Sequence, residues 1–382
     1  MVGMCGVMIR DELYGTITLS DLEKEIIDTE DFQRLRRIKQ MALTYLVYPC
    51  ANHTRFEHSL GTMHVASQIA DKLGMSKEKK EKLRLYALLH DIGHLAFSHE
   101  SERVLSSILG SHEEIGKMKI MKGEIADVLK ENYNPEEIAT FGKTTDGQIV
   151  NSDIGADRID YLRRDAYNTG VAYGIIDSDR IIHTLAIVNG ELAIDERGII
   201  AAESLLIARF MMFSTVYFHH TVRIAGAMLC RAIESALSTN SISAEEFLDK
   251  GDEELFLMLR NSDVSDYVNR LLKRQLFKEA YSFDTADVKK MEKNIREIEK
   301  NLSKTFGCQI IIDWPYDFFK PINFKVMTEN GLVDIMKLSD LVSSLKISEE
   351  RRKKVLLLCP PEARERVRRE VVKELKKESI LE

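Results

Sequence analysis

Leu88-Leu-His-Asp-Ile-Gly-His-Leu95 decides how this chain is read. The residues before it suit a core-facing helix, with Leu83, Tyr86, Ala87 and Leu88 spaced as a buried stripe. His90 and Asp91 then stand side by side at the end of that apolar run. Two hydrophilic groups there cost roughly 1–3 kcal/mol each unless matched by strong partners. A divalent cation is such a partner for both at once. Helix neighbours diverge by about 100°, so the pair can grip one ion only near the helix end. Gly93 reads as the helix stop.

Two further ligand candidates lie outward from this pair. His58 sits in Arg55-Phe-Glu-His-Ser-Leu-Gly61, at the start of an amphipathic helix. Asp157 sits in Gly155-Ala-Asp-Arg-Ile-Asp-Tyr161, at the start of another. Two imidazoles and two carboxylates suit Mn, Fe, Co, Ni or Zn better than Ca, with Mg also open. The absence of cysteine from the set argues against a structural zinc cage. Taken singly, each residue reads more simply as a satisfied core or capping group.

Together the blocks resemble a known family. His58, His90-Asp91 and Asp157 follow the H…HD…D order of the HD-domain phosphohydrolases. Phe32-Gln-Arg-Leu-Arg-Arg-Ile-Lys-Gln40, His53 to Gly61, His90 to His99 and Asp157 to Asp165 are similar to the deoxynucleoside triphosphate triphosphohydrolase branch. The resemblance covers roughly residues 10 to 235. It implies one divalent metal ion on His58, His90, Asp91 and Asp157, a nucleotide substrate and a homo-oligomer. By the same resemblance His94 contacts the phosphate chain. His99 protonates the leaving 5′-oxygen with Glu102 orienting it, and His112 is the rival donor. Arg55, Arg158 and Arg209 match substrate- or phosphate-binding positions. Gln40, Tyr161 and Asp165 match positions around the deoxyribose, Tyr217 one that crowds the 2′ edge, and Met41 sits where the family often has another apolar side chain.

Each assignment has a plainer rival. A lone histidine is more often polar rim, and Tyr217 reads equally as a core aromatic. Arg34, Arg36 and Arg37 read as surface or salt-bridge residues. Arg209 lies in an apolar helix face, so a phosphate or an acidic neighbour must meet it. Departures from the branch include Ala42-Leu-Thr where a Gly-rich turn is common, and only about ten residues ahead of the core. An allosteric nucleotide site built from that region is not expected, and base preference does not transfer.

Composition sets the frame. The chain has 382 residues, a net charge of −7 and only 6 Pro, which with long 3.6-periodic segments points to a mainly α fold. No apolar run reaches the length of a membrane span, and the N-terminus lacks a secretory pattern. The 5 cysteines are odd in number and scattered, as in a cytoplasmic protein with reduced thiols. From Arg351 to Lys377 there are 11 Lys plus Arg against 4 Glu. A solvated helix with Val367, Val371 and Leu375 facing the body is the simpler reading, and nucleic-acid contact the lesser one.

The expected architecture is an HD-type helical bundle over residues 1–238 and a smaller α+β module over 239–382. Leu22 to Leu43 reads as one helix and Ala201 to Leu237 as one long helix. Asn189-Gly marks a hairpin within Leu185 to Ile200. Thr285 to Lys304 reads as a charged helix. Strands are expected at Cys308 to Ile312, Ile322 to Met327 and Leu332 to Met336. The function expected is metal-dependent hydrolysis of deoxynucleoside triphosphates to deoxynucleoside and triphosphate. The rivals are an HD phosphatase or phosphodiesterase on monophosphates or oligonucleotides, and a non-catalytic nucleotide sensor.

Overall fold

The computed structural model describes residues 7–262, 265–284, 294–314 and 322–377. It is mainly helical, with small sheets concentrated in the C-terminal half. An antiparallel hairpin of β1 (Val7–Asp11) and β2 (Gly15–Leu19) leads in. The first ligand helix runs Arg55–Lys72 and is started by a capping box, with the Thr54 N–H donating to Glu57 at 2.9 Å. The second, Lys77–Leu89, starts at the Ser76 cap. It ends before the His90-Asp91 pair, so Gly93 is not its stop. Gly93 is instead a contact point: a Cβ there would lie 2.1 Å from the His112 carbonyl oxygen and 2.2 Å from Gly116 N. Helix Ala156–Thr169 carries Asp157 and ends at Gly170 in the left-handed region.

Two long helices expected from periodicity are broken. The stretch expected at Leu22 to Leu43 divides into Asp21–Ile27, Glu30–Arg34 and a 3₁₀ turn, because Thr29 caps a fresh start by accepting from Phe32 N. Beyond it Ile38 is extended and residues 40–43 form a turn. Lys39 bridges Thr54, and Gln40 N donates to the His53 carbonyl at 3.0 Å. The stretch expected at Ala201 to Leu237 divides into Ile199–Met212, a π turn at Phe213–Tyr217, and His220–Ser238. Such π turns recur at functional sites, and Tyr217 closes this one. Glu196–Tyr217 does have the length and apolarity of a membrane span, contrary to the reading of apolar runs, but half of it is buried inside the protein.

The expected boundary at residue 238 is crossed by the later strands. β3 (Leu185–Val188) and β4 (Glu191–Asp195) form the expected hairpin. β7 (Lys325–Thr328) then pairs parallel with β4, and β8 (Gly331–Asp334) follows antiparallel. Phe324, Val326, Ile335 and Val342 thereby enter the same core as the ligand helices. The other sheet orders β5 (Lys278–Asp284), β9 (Lys354–Cys359) and β6 (Ile311–Asp313). Helix Ile295–Phe306 covers it together with Val367, Val371 and Leu375 of the basic terminal helix, which face the body as expected. Residues 285–293 of the expected charged helix lie outside the described residues.

Candidate active site

His58, one turn into its helix, is buried. Its Nδ1 lies 2.8 Å from Asp160 Oδ2, which leaves Nε2 to face the centre. His90 Nδ1 donates to the Ala87 carbonyl at 2.8 Å, and its Nε2 is buried without a hydrogen-bond partner. Asp157 Oδ1 lies 3.2 Å from His58 Nε2 and 3.8 Å from His90 Nε2. Asp91 stands 3.6 Å from His58 Nε2 and 3.4 Å from His90 Nε2. Bonds near 2.1 Å put neighbouring ligand atoms about 3.0–3.4 Å apart, and His58, His90 and Asp157 already bring theirs within 4.8 Å of one another, a cluster able to hold a metal. The orphaned His90 nitrogen is the observation that asks for it. Both imidazoles are oriented through their other nitrogen, as metal-bound histidines are.

Electrostatics point the same way. Burial disfavours charge on His58, yet Asp157, Asp160 and Asp91 outweigh it and raise its pKa to about 10. The protein packed around Asp157 would raise its carboxyl, but the facing His58 and His90 rings hold it well below the usual range. Asp91 is likewise held low against its burial, by His90 and Arg55. A site so rich in carboxylate stabilises a cation strongly.

A second cluster borders the first. His94, His99, Glu102 and His112 bring their ligand-type atoms within 4.8 Å of one another. His94 stacks on His112 with ring centroids 4.1 Å apart, and its Nε2 lies 3.3 Å from Asp91. Burial and the Arg55 cation push His94 well below its ordinary pKa, so it is neutral. Glu102 joins the two outer rings, at 3.1 Å from His99 Nδ1 and 2.7 Å from His112 Nδ1. Its burial would raise the carboxyl, but these histidines hold it down.

The expected arginines are all engaged by acidic side chains. Arg55 donates to Asp91 and, through Nε, to Ser98 Oγ at 2.8 Å. Arg158 pairs with Asp153. Arg209 meets Glu349 at 2.9 Å, the acidic neighbour its apolar helix face required. Asp165 sits between His53 Nε2 at 2.7 Å and the Tyr217 hydroxyl at 2.6 Å. Tyr161 lies on the same helix between Asp157 and Asp165, partly buried. Gln40 Oε1 and His53 Nδ1 are buried without hydrogen-bond partners, and Met41 is buried.

Several working residues were not singled out from sequence. Asp160 is legible afterwards: it lies three residues beyond Asp157, on the same helix face. Arg164 clamps it with two bonds of 3.0 Å and reaches Asp11. Arg34 is the opposite of a surface group. It is buried and donates to the Ile92 carbonyl at 2.9 Å, pinning the loop after the metal pair. Burial lowers its pKa to about 10. Arg36 instead covers the Phe56 ring at 3.4 Å, and Arg37 pairs with Glu254 at 2.9 Å.

A family model of the HD domain matches residues 55–165, and one of the HD associated region matches residues 176–380. The chain belongs to the HD phosphohydrolase superfamily. A protein of Methanocaldococcus jannaschii is 39% identical to this HD protein over 384 residues, which take in 96% of this chain and 82% of the relative. A deoxynucleoside triphosphate triphosphohydrolase SAMHD1 homolog of Dictyostelium discoideum is 26% identical over 80% of this chain and 60% of its own length. A crystal structure from Aquifex aeolicus matches at a TM-score of 0.80 and 32% identity, covering 96% of this chain and 99% of that one. A phosphohydrolase from Bacteroides thetaiotaomicron matches at 0.73 and 27%, covering 93% and 99%. This HD protein is thus a metal-dependent phosphohydrolase by family, with a His/Asp cluster able to hold the metal.

Proposed function

We propose that the protein hydrolyses deoxynucleoside triphosphates to deoxynucleoside and triphosphate. The observation that carries this reading is the layout of helix Ala156–Thr169. It presents Asp157 to the metal set and, two turns on, Asp165 to His53 and Tyr217. Two ends of one substrate, phosphate and sugar, can therefore be read from one rigid element. The named relative in Dictyostelium supports the substrate class.

His58, His90, Asp91 and Asp157 would hold a divalent transition ion. When bound, it supplies Lewis-acid polarisation of the phosphoryl oxygen and a nucleophilic water at the α-phosphorus. His94 offers a neutral ring to the phosphate chain. His99, oriented by Glu102, delivers a proton to the leaving 5′-oxygen, and His112 on the same carboxylate can replace it. Arg158 and Arg209 balance phosphate charge once they turn from Asp153 and Glu349. Gln40 Oε1 offers an unused acceptor to the sugar 3′-hydroxyl beside Asp165.

A second reading has one observation in its favour. Arg209 already faces a carboxylate, so a shorter substrate that never reaches it, a monophosphate, is served equally well. The test is a product analysis with full-length protein, several divalent metals, all dNTPs, NTPs and NMPs, and ¹⁸O-water. Triphosphate as first product from a dNTP is expected. Orthophosphate as first product would overturn the reading in favour of phosphatase chemistry.

A further inference from the structure

We propose that Asp252, supplied by the HD-associated region, is a positioning residue for the hydrolytic reaction: its carboxylate fixes the two backbone segments that carry Gln40 and the His94–His99 loop. The inference rests on the phosphohydrolase reading above but names a residue outside every block that suggested it.

Asp252 is buried, and each of its carboxylate oxygens takes a different backbone amide. Oδ1 accepts from Phe97 N at 2.7 Å and Oδ2 accepts from Lys39 N at 2.9 Å. Phe97 lies between His94 and His99, and Lys39 precedes Gln40. The loop needs such a hold. Phe97 and Ser98 both take left-handed backbone conformations, with φ of 62° and 52°, which residues with a Cβ adopt only when their surroundings enforce it.

The contacts continue to the metal set. Ser98 Oγ donates to the Lys39 carbonyl at 3.2 Å and accepts from Arg55 Nε at 2.8 Å. Arg55 in turn donates to Asp91. Lys39 is therefore gripped at its N–H by Asp252 and at its carbonyl by Ser98. A contiguous set of hydrogen bonds joins Asp252 to the ligand Asp91.

The approach of this segment is built in, not incidental. Asp252 opens helix Asp252–Arg260, directly after Gly251. A Cβ on Gly251 would lie 2.5 Å from Arg37 Cβ and 2.8 Å from the Arg37 carbonyl oxygen, so only glycine lets the helix start press on this backbone. Glu254 locks the docking by accepting from Gly251 N at 2.8 Å and Arg37 Nη1 at 2.9 Å. A merely adhesive contact between two modules needs no buried carboxylate, because burying a charge is costly. A carboxylate offers a separate acceptor oxygen to each of two diverging amides and brings no donor to clash with either.

The test compares wild type, Asp252→Asn and a core control, Leu259→Ala, which truncates the same helix away from the loop. Asparagine keeps the shape but turns one acceptor into a donor facing an amide N–H. Turnover is followed on whichever phosphate ester the wild type cleaves, with metal content by elemental analysis and amide exchange over residues 92–98. The expected result for Asp252→Asn is kcat lowered about tenfold or more, KM and metal content within twofold, and faster exchange in the loop. Leu259→Ala should lose thermal stability but keep kcat. Unchanged kcat in Asp252→Asn, or an equal kcat loss in Leu259→Ala, overturns the proposal. If wild type cleaves no ester, the phosphohydrolase reading fails by itself. Loop exchange then decides alone, and unchanged exchange in Asp252→Asn overturns the clamp.

Discussion

Glu349 holds Arg209: Oε1 lies 2.9 Å from Nη1, both side chains are buried, and 140 residues separate them in sequence. An incoming phosphate chain that uses Arg209 must therefore compete with a built-in carboxylate. Glu349→Gln removes that competing charge. Two unit charges about 4 Å apart interact by about 4 kcal/mol at an effective dielectric of about 20, and solvation cancels much of it. KM for a deoxynucleoside triphosphate should fall about fivefold to tenfold, while KM for the monophosphate stays put. Steady-state kinetics on dGTP and dGMP with both proteins decide it. Equal shifts for the two substrates would mean that Arg209 does not read the far phosphates.

Asp160 holds His58 through Nδ1, away from the proposed metal face, and is wedged against Gly61. A Cβ on Gly61 would lie 1.9 Å from Asp160 Oδ1 and 2.4 Å from Arg164 Nη2. Asp160→Asn should weaken metal binding about 10- to 100-fold. Gly61→Ala should destabilise the protein, although alanine is favoured over glycine in a helix by about 1 kcal/mol. Metal titration and thermal melts test the pair. A Gly61→Ala protein that melts higher than wild type and retains its metal would show that the contact is slack.

The division between what sequence revealed and what it hid follows the range of the interactions. His90 and Asp91 stood out locally, as polar residues ending an apolar period, while His58 and Asp157, each near a helix start, joined them only through the H…HD…D order of the blocks. The Asn189-Gly hairpin was as local as the His90-Asp91 pair. Asp252, Glu349 and Asp153 could not be found this way, since each is an ordinary acidic residue whose meaning comes from a partner far along the chain. The same limit explains the breaks at Thr29 and at Phe213–Tyr217. Helical periodicity persists through both, and only capping and close packing reveal the interruption. Likewise β7 joins β4 through tertiary pairing, which no local pattern marks.

Asp252 also carries a stability cost that depends on pH. Burial raises its pKa from 3.8 to about 6, with the Lys39 and Phe97 amides acting the other way. A carboxyl whose folded pKa is raised stabilises the protein fully below the unfolded value, and that contribution is lost as pH rises through the folded value. The shift corresponds to about 3 kcal/mol. Asp252→Asn cannot ionise, so its stability relative to wild type should improve between about pH 4 and pH 7 by up to that amount. Urea unfolding of both proteins across this range measures it. A stability difference that is flat with pH would show that Asp252 does not titrate there.

Under the proposed dNTP hydrolysis, sugar discrimination would fall to Tyr217, with separate work for its ring and its hydroxyl. The hydroxyl donates to Asp165 Oδ2 at 2.6 Å, so its hydrogen serves the residue proposed for the 3′-hydroxyl and is not free to be donated to a 2′-hydroxyl. Steric exclusion of ribose would then rest on the ring, which packs T-shaped with Phe213 at a centroid distance of 4.9 Å. Tyr217→Phe keeps the ring and releases Asp165, which should weaken dNTP and NTP hydrolysis alike by about 1–2 kcal/mol in kcat/KM. Tyr217→Ala opens the space at the 2′ edge, and should narrow the dNTP-to-NTP ratio mainly by raising NTP hydrolysis. Asp165→Asn should resemble Tyr217→Phe, because the 3′-hydroxyl is common to both sugars. The measurement is kcat/KM for dATP against ATP and dGTP against GTP in the wild type and the three variants. A wild type that cleaves ribonucleotides equally well would remove the deoxynucleotide assignment. It would leave a general nucleotide phosphohydrolase in which the Tyr217–Asp165 bond is a structural tie.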